Sequence, residues 1–219
     1  MRNILIVAAG VVAVILIACG VYYGTRQPAP SPSPVAVAPT PDKASLLTAQ
    51  PGDHVEGSPN APITMIEYAS FTCPHCAHFN TMILPELKTK WIDTGKVKLV
   101  YRDYPLDQTA AQAAQLACCA PADRYFGVVD MIFRTQANWA TASDPIGELT
   151  KSLRIAGIGE NEAKACLADS KIADAVVASA QGGDKVGVKA TPSLYINGEL
   201  FSGARSVEEL DGVFSKLAK

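Results

Sequence analysis

A pair of cysteines separated by two residues, Cys73-Pro74-His75-Cys76, constrains this chain more than any other feature. The motif follows an apolar, partly β-branched run, Ile63–Tyr68, and precedes a helical run from Ala77 towards Lys90. The first thiol is therefore expected where a strand passes into a helix N-terminus. Unpaired N–H groups and the helix dipole stabilise a thiolate there. Such a position can lower a cysteine pKa from about 8.5 to roughly 3.5–7.5, which predicts an attacking thiol at neutral pH.

Two other uses of the motif fit the sequence less well. Structural zinc usually needs four ligands, often from two such cysteine pairs. The chain has no second pair of this spacing, and His75 and His78 lie on one turn of the predicted helix. An inert structural disulfide between Cys73 and Cys76 would close a tight ring and gain little from loop closure. We therefore predict a redox-active disulfide, with no metal and no other cofactor.

The N-terminus has the pattern of an export signal or a membrane anchor. Among the chain's 219 residues, Arg2 is followed by an uncharged apolar run from Ile4 to Tyr23, so we assign residues 1–24 to a signal peptide, lipobox or anchor. The run Leu16-Ile17-Ala18-Cys19 has the pattern of a bacterial lipobox, which would make Cys19 a lipidation site. A lipoprotein, an uncleaved signal-anchor and a cleaved, released protein all stay open, and each places the domain outside the cytoplasm.

A proline-rich linker is predicted over residues 25–50, with the folded domain over residues 51–219. Alternating proline with alanine and serine gives an extended, semi-rigid tether. A tether next to an apolar anchor favours a membrane-anchored protein in the periplasm or another extracytoplasmic space. The formal net charge of −2 and the lack of a Lys/Arg block argue against a nucleic-acid partner.

The remaining pattern predicts a small α/β sheet domain interrupted by helices. After Ile63–Tyr68, a helix over residues 77–91 should be kinked by Pro85. The strand Val97–Tyr101 follows, then a helical insertion over about residues 106–182. The strands Ser193–Ile196 and Glu199–Ser202 flank Asn197-Gly198, a hairpin signal. Ser206 should cap a last helix, Val207–Leu217, with Glu209 in the capping box.

Two segments together resemble the DsbA-like thiol–disulfide oxidoreductases of the thioredoxin superfamily. They are the ten residues from Glu67 to Cys76 and the seven from Gly187 to Ser193, which include Thr191-Pro192. The resemblance covers roughly residues 52–219. It implies a thioredoxin fold with an inserted α-helical domain.

The resemblance also implies roles for individual residues. Cys73 would be the nucleophile that forms a mixed disulfide with a client, and Cys76 the resolving thiol. Pro74 and His75 between them would favour the Cys73 thiolate and an oxidising disulfide. Glu67 would be a buried acid that helps to move the Cys76 proton. Thr191 and Pro192 would form a cis-proline loop that binds an extended client peptide.

The helical insertion contains three further cysteines, Cys118, Cys119 and Cys166. Some DsbA-like relatives have a second, non-catalytic disulfide in this region, so the resemblance implies a Cys119–Cys166 pair with Cys118 free. Adjacent helix positions point about 100° apart, and the pairing of Cys118 in place of Cys119 stays open.

The function expected is an exported oxidase that introduces disulfides into client proteins with free thiols. The resemblance implies a membrane partner of the DsbB type that reoxidises it, and a monomer. The alternatives are a disulfide isomerase or reductase and a non-catalytic, chaperone-like lipoprotein on the same scaffold. Isomerase relatives usually add an N-terminal dimerisation domain, where this chain has the proline-rich tether, and the intact Cys73, Cys76 and Pro192 argue against a non-catalytic protein.

Overall fold

The structure is a computed structural model that describes residues 42–219. The predicted leader, Cys19 and the linker up to residue 41 lie outside the described residues. Within the described part of the chain, no helix combines the length and the apolar character needed to cross a bilayer.

A five-stranded mixed sheet forms the centre of the domain. Its strands are β1 (His54–Glu56), β2 (Ile63–Ala69), β3 (Val97–Asp103), β4 (Ser193–Ile196) and β5 (Glu199–Ser202). Their order is β1-β3-β2-β4-β5. β2 and β3 run parallel, whereas β1 on β3, β4 on β2 and β5 on β4 are antiparallel. The predicted strands are confirmed, with β2 and β3 each extending past the predicted end.

The helix after the cysteine motif, α1, covers residues 74–92. It alternates between α-helical turns (Pro74–His78 and Leu84–Leu87) and π-helical turns (Phe79–Ile83 and Lys88–Ile92). It begins three residues before the predicted Ala77, because proline suits the first helical position, where no N–H is needed.

A π-helical turn precedes Pro85, the residue at which the sequence predicts a kink. The N–H of Leu84 bonds to the carbonyl of Phe79, five residues back. The wider turn accommodates a proline ring that would otherwise clash one turn back.

The predicted helical insertion is present between β3 and β4. Its helices are α2 (Gln108–Cys118), α3 (Tyr125–Arg134), α4 (Gln136–Trp139), α5 (Pro145–Leu153), α6 (Glu160–Ala168) and α7 (Ser170–Val186). A disulfide joins Cys119, which follows α2, to Cys166 in α6 across 47 residues, and Cys118 is a free thiol. The disulfide thus links the end of the first helix of the insertion to α6.

The C-terminal hairpin and helix follow the local sequence signals closely. Asn197 and Gly198 both have positive φ angles, 46° and 89°, as a two-residue hairpin turn requires. Ser206 caps the last helix, α8 (Val207–Leu217), and Glu209 completes a capping box. The turn before β5 and the start of α8 are therefore specified by residues within or next to them.

Packing on the sheet places the cysteine motif at a junction. One face packs against α1 and α8, and the opposite face packs against the end of α7. A third apolar cluster, formed mainly by the insertion, contains Phe71, Cys73 and Cys76 together with Tyr101 of β3. The motif therefore lies where the insertion meets the sheet.

Residues 42–50, which the sequence pattern assigned to the linker, are folded against the domain. A short 3-10 turn, Ser45–Leu47, places Leu46 in a buried cluster with Ile66 and Val100. The predicted boundary at residue 51 is therefore too late, because an apolar side chain and its turn pack before it.

Arg102 explains why this segment is held in place. Its guanidinium donates to the main-chain carbonyls of Leu46 and Thr48, and it pairs with Asp53 at 2.7 Å. Arg102 is only 5% exposed. A buried guanidinium needs acceptors for its five N–H groups, and the segment supplies two of them.

Removing this segment should destabilise the domain. We expect a chain that starts at residue 51 to be less stable than one that starts at residue 42 by about 2–4 kcal/mol, from the lost burial of Leu46 and the lost acceptors of Arg102. Urea denaturation of the two chains measures the difference. Leu46→Ala in the longer chain should reproduce part of it, and equal midpoints for both chains would contradict the assignment.

Candidate active site

The turn between β2 and α1 holds Cys73 at the N-cap of the helix. The N–H of Cys73 donates to the carbonyl of Ser70, and the N–H of Ala77 donates to the carbonyl of Cys73, both at 3.1 Å. Cys73 is 7% exposed and Cys76, one turn further on, is fully buried. Both thiols are free, so the structure describes the dithiol form.

The two thiols differ strongly in acidity. The pKa of Cys73 falls to about 5, chiefly because the Cys76 thiol donates a hydrogen bond to its sulfur. Burial opposes this, while Thr191 and the backbone N–H groups of Cys76 and His75 add to the lowering. Burial, followed by the hydrogen bond to Cys73, raises the pKa of Cys76 well above its ordinary value. At neutral pH the pair therefore holds a thiolate at Cys73 and a proton at Cys76.

A buried carboxyl lies close enough to act on this pair. Glu67 in β2 is fully buried, and its charge raises the pKa of Cys76. Its Oε1 accepts a hydrogen bond of 2.7 Å from Asn80 in α1, while its Oε2 has no partner among the described residues. Burial raises the pKa of Glu67 to about 8, although the Asn80 hydrogen bond lowers it. A carboxyl with this pKa can give or take a proton near neutral pH.

The loop before β4 forms the other wall of the site. The Thr191–Pro192 bond is cis, and both residues are buried. The Sγ of Cys73 lies 3.4 Å from the carbonyl oxygen of Thr191, to which it donates when it is protonated. The Thr191 hydroxyl is buried without a partner among residues 42–219. The fold thus brings the two sequence segments of the resemblance into contact at Cys73.

The two residues between the cysteines face solvent. Pro74 and His75 are both exposed on the first turn of α1. His75 lowers the pKa of Cys73 through its backbone N–H. The influence of its imidazole on the thiolate stays a prediction.

Sequence reasoning missed two residues of the insertion that hold the active-site turn. Gln136, 8% exposed, donates from Nε2 to the carbonyls of Phe71 (2.7 Å) and Cys73 (3.0 Å). The Thr72 hydroxyl donates to Asp107 at 2.6 Å. Asp107 was identifiable from sequence only as a helix cap, a role that it also has for α2. Gln136 has no local signal, because its acceptors are main-chain atoms far away in sequence.

Asn80 was also missed, although a signal for it exists. It follows Cys76 by four residues, a spacing that places two side chains on one face of a helix. A polar residue at that position, on a face that must be buried, indicates a buried hydrogen-bond partner.

No group of three His, Cys, Asp or Glu side chains in the described part of the chain is arranged to hold a metal ion.

Comparisons with known proteins support the fold described above. Residues 49–216 match the sequence model of a family described as thioredoxin. The crystal structure of Wolbachia pipientis alpha-DsbA1 matches with a TM-score of 0.74 at 31% identity, covering 80% of this chain and 96% of that one. Disulfide bond formation protein D of Bacillus subtilis is 26% identical over 176 residues, 77% of this chain and 78% of the relative.

A Rickettsia bellii protein, provisionally named a protein-disulfide oxidoreductase, is 34% identical over 148 residues. The match covers 67% of this chain and 57% of the relative. The chain therefore spans less than two thirds of the length of this relative.

The acidity of Cys73 can be tested by titrating its thiolate absorbance in the ultraviolet. We expect a midpoint at about 5 for the reduced protein. In Cys76→Ala the midpoint should rise by about one unit or more, because the largest contribution to the lowering is lost. Cys118→Ala is the matched control, since burial holds the pKa of that thiol at about 12, outside the range of the titration. An unchanged midpoint in Cys76→Ala would contradict the assigned cause.

Proposed function

This chain belongs to the DsbA-like thiol–disulfide oxidoreductases of the thioredoxin superfamily, and we propose that it introduces disulfide bonds into client proteins through Cys73 and Cys76. The observation that carries the proposal is the placement of Cys73 at the helix N-cap with Cys76 fully buried one turn further on, which divides the acidity between the two thiols. A low-pKa thiol leaves readily, and a stabilised thiolate favours the reduced form. The disulfide between Cys73 and Cys76 is then a strong acceptor of electrons from client thiols.

The first step is attack by a client thiolate on the Sγ of Cys73. A mixed disulfide forms between the client and Cys73, and the Cys73–Cys76 bond breaks with its electron pair on Cys76. A buried thiolate at Cys76 is unfavourable, because burial raises the pKa of this group. Glu67, protonated at neutral pH, is the group that can supply its proton.

The second step releases the oxidised client. A second client thiolate attacks the client sulfur of the mixed disulfide, so that the client disulfide forms and Cys73 leaves as a thiolate. Because the pKa of Cys73 is about 5, that thiolate stays unprotonated at neutral pH. Two electrons pass from the client to the protein. Of the two client protons, the equivalent of one ends on Cys76 and the other enters solvent.

Client binding is assigned to two surfaces near Cys73. The Thr191–Pro192 loop borders the sulfur and would receive an extended client backbone. The second surface is a cleft of about 450 Å³ lined by residues of the turn and the insertion, among them Thr72, Pro74 and Ala137. A client chain lying between these surfaces would place its cysteine in line with the buried sulfur.

The proposed setting is the periplasm or another extracytoplasmic space. The leader-like run over residues 1–24, with Cys19 in a lipobox pattern, and the proline-rich residues after it support export and membrane attachment. Exported proteins with free thiols are the clients in this proposal. A membrane protein of the DsbB type returns the reduced pair to the disulfide, and the protein acts as a monomer.

The reduction potential of the Cys73/Cys76 pair is the first test. Equilibration with glutathione should give a value well above the roughly −270 mV of thioredoxin, towards about −120 mV. The stabilised Cys73 thiolate is the reason for the expected direction. A value near or below that of thioredoxin would make the protein a reductase or isomerase and would rule out the oxidase.

Trapping of clients tests catalysis separately from the direction of electron flow. Cys76→Ser removes the thiol that resolves the mixed disulfide, so we expect client proteins to accumulate in covalent complexes at Cys73. Non-reducing gels followed by mass spectrometry would detect them. Cys118→Ser is the control and should trap nothing beyond the unaltered protein. A Cys76→Ser variant without mixed disulfides would favour the non-catalytic, chaperone-like alternative.

A further inference from the structure

We propose that Asn80 is a positioning residue that ties the Glu67 carboxyl to α1 and leaves one carboxyl oxygen free to exchange a proton with Cys76. The inference rests on the proposed function, in which Glu67 carries that proton. It adds a residue whose role follows from contacts in this structure.

Asn80 uses its amide nitrogen to join two elements of the site. Its Nδ2 donates to Oε1 of Glu67 at 2.7 Å and to the carbonyl of Cys76 at 3.1 Å. Both bonds are buried, and Asn80 is 5% exposed. One side chain therefore connects the carboxyl on β2 to the backbone of the resolving cysteine.

The chemistry of the partners fixes which way the amide faces. The Cys76 carbonyl can only accept a hydrogen bond, and Oε1 of Glu67 accepts one too, which leaves the proton of the neutral carboxyl to Oε2. Only the NH₂ end of Asn80 satisfies both, and its two hydrogens are then fully used. The amide cannot flip without leaving these two buried acceptors unpaired, which is unfavourable.

The two carboxyl oxygens of Glu67 therefore differ in their hydrogen bonding. Oε1 is held by Asn80, whereas Oε2 is buried with no partner among the described residues. A carboxyl that exchanges a proton needs a free oxygen in a defined direction. Asn80 provides this direction, because its second bond holds it to the carbonyl of Cys76 itself.

The helix around Asn80 is not a regular α-helix. Asn80 lies within the turn Phe79–Ile83, where the helix is wider than an α-helix and precedes Pro85. Its neighbours Phe79 and Ile83 are buried as well. Such insertions in helices occur frequently at functional sites.

Few other groups can compete with Asn80 in setting the ionisation of Glu67. Cys73 and Cys76 face it from α1, Tyr101 acts from β3 and Tyr125 from α3. Burial raises the pKa of both tyrosines well above the ordinary value, so that they are neutral near pH 7. The Cys73 thiolate raises the pKa of Glu67, and Asn80 is the contact that lowers it.

The proton step is an exchange between two groups. When Cys76 attacks the mixed disulfide at Cys73, its thiol proton passes to the Glu67 carboxylate, and the Cys76–Cys73 bond forms as the bond to the leaving thiolate breaks. When the Cys73–Cys76 disulfide is opened by a client, the proton returns from Glu67 to the Cys76 thiolate. In both directions a free, correctly oriented Oε2 is required.

A direct measurement follows the ionisation of Glu67 in the reduced protein. Carbon-13 NMR of the labelled carboxyl should show a midpoint at about 8. In Asn80→Leu we expect it to move upward by about one pH unit, because a hydrogen bond to the charged form is lost. Thr81→Val is the matched control: its hydroxyl bonds to the carbonyl of Ala77 at 2.7 Å, one position along the same helix and away from Glu67. That variant should leave the midpoint unchanged.

A kinetic measurement isolates the attack by Cys76. A mixed disulfide between Cys73 and glutathione is prepared, and its resolution by Cys76 is followed as a function of pH. We expect Asn80→Leu to slow resolution about tenfold at pH 7, in step with the shifted midpoint. In a Glu67→Gln background, adding Asn80→Leu should have no further effect on the rate, since the carboxyl that it positions is absent.

The outcomes separate a positioning role from a structural one. If Asn80→Leu slows resolution equally in both backgrounds and the Glu67 midpoint does not move, the inference is wrong. Should the leucine variant fail to fold, Asn80→Ser, which is smaller and still polar, is measured in its place with the same expectations. A reduction potential near that of thioredoxin would overturn the oxidase proposal yet leave the Glu67 midpoint shift in place, so the two failures are distinguishable.

Discussion

The site depends on the parallel pairing of β2 with β3, in register from Ile63 with Val97 to Ala69 with Asp103. Parallel neighbours need a crossover connection, and here that connection is α1. The helix must start at the carboxyl end of β2, so its N-terminus lies at one edge of the sheet with Cys73 as its cap. The same geometry places Cys76 one turn deeper and makes a residue of β2 its neighbour. The parallel pairing of the two strands therefore also determines which residue of β2 lies next to Cys76.

Burial raises the pKa of both thiols, yet the pKa of Cys73 ends below its ordinary value and that of Cys76 above it. Cys73 is buried together with hydrogen-bond donors, and because their effect exceeds that of burial, its pKa is lowered. Cys76 and Glu67 are enclosed with fewer favourable partners, and burial raises the pKa of each. Desolvation penalises the charged form of every acid, so the donors decide which group ionises. A thiolate at Cys73 and a protonated carboxyl at Glu67 can therefore lie in the same buried region. Among the described residues, no lysine or arginine is a cause of the shift in the pKa of Glu67.

Features set by neighbouring residues were predictable, and those set by distant partners were not. The strands, the Asn197-Gly198 turn and the Ser206 cap follow from local pattern, and the structure confirms them. The hydrogen bonds of Gln136 reach residues 63 and 65 positions away, and Arg102 bonds to Leu46 across 56 positions. A periodic pattern tells which face is buried and says nothing about which polar group will meet which carbonyl. The start of α1 was misplaced because proline, a breaker inside helices, is favoured in the first turn.

The depth of Cys73 has a consequence for which proteins this one can act on. Cys73 is only 7% exposed, and the residues that follow it, Pro74 and His75, are exposed. Disulfide exchange requires the incoming sulfur to approach along the line of the bond that breaks, so a cysteine must enter on an extended, movable stretch of chain. A cysteine inside a finished fold cannot do so. For the proposed function, the recess would therefore select clients by folding state, admitting chains that are still unfolded and excluding those that have matured.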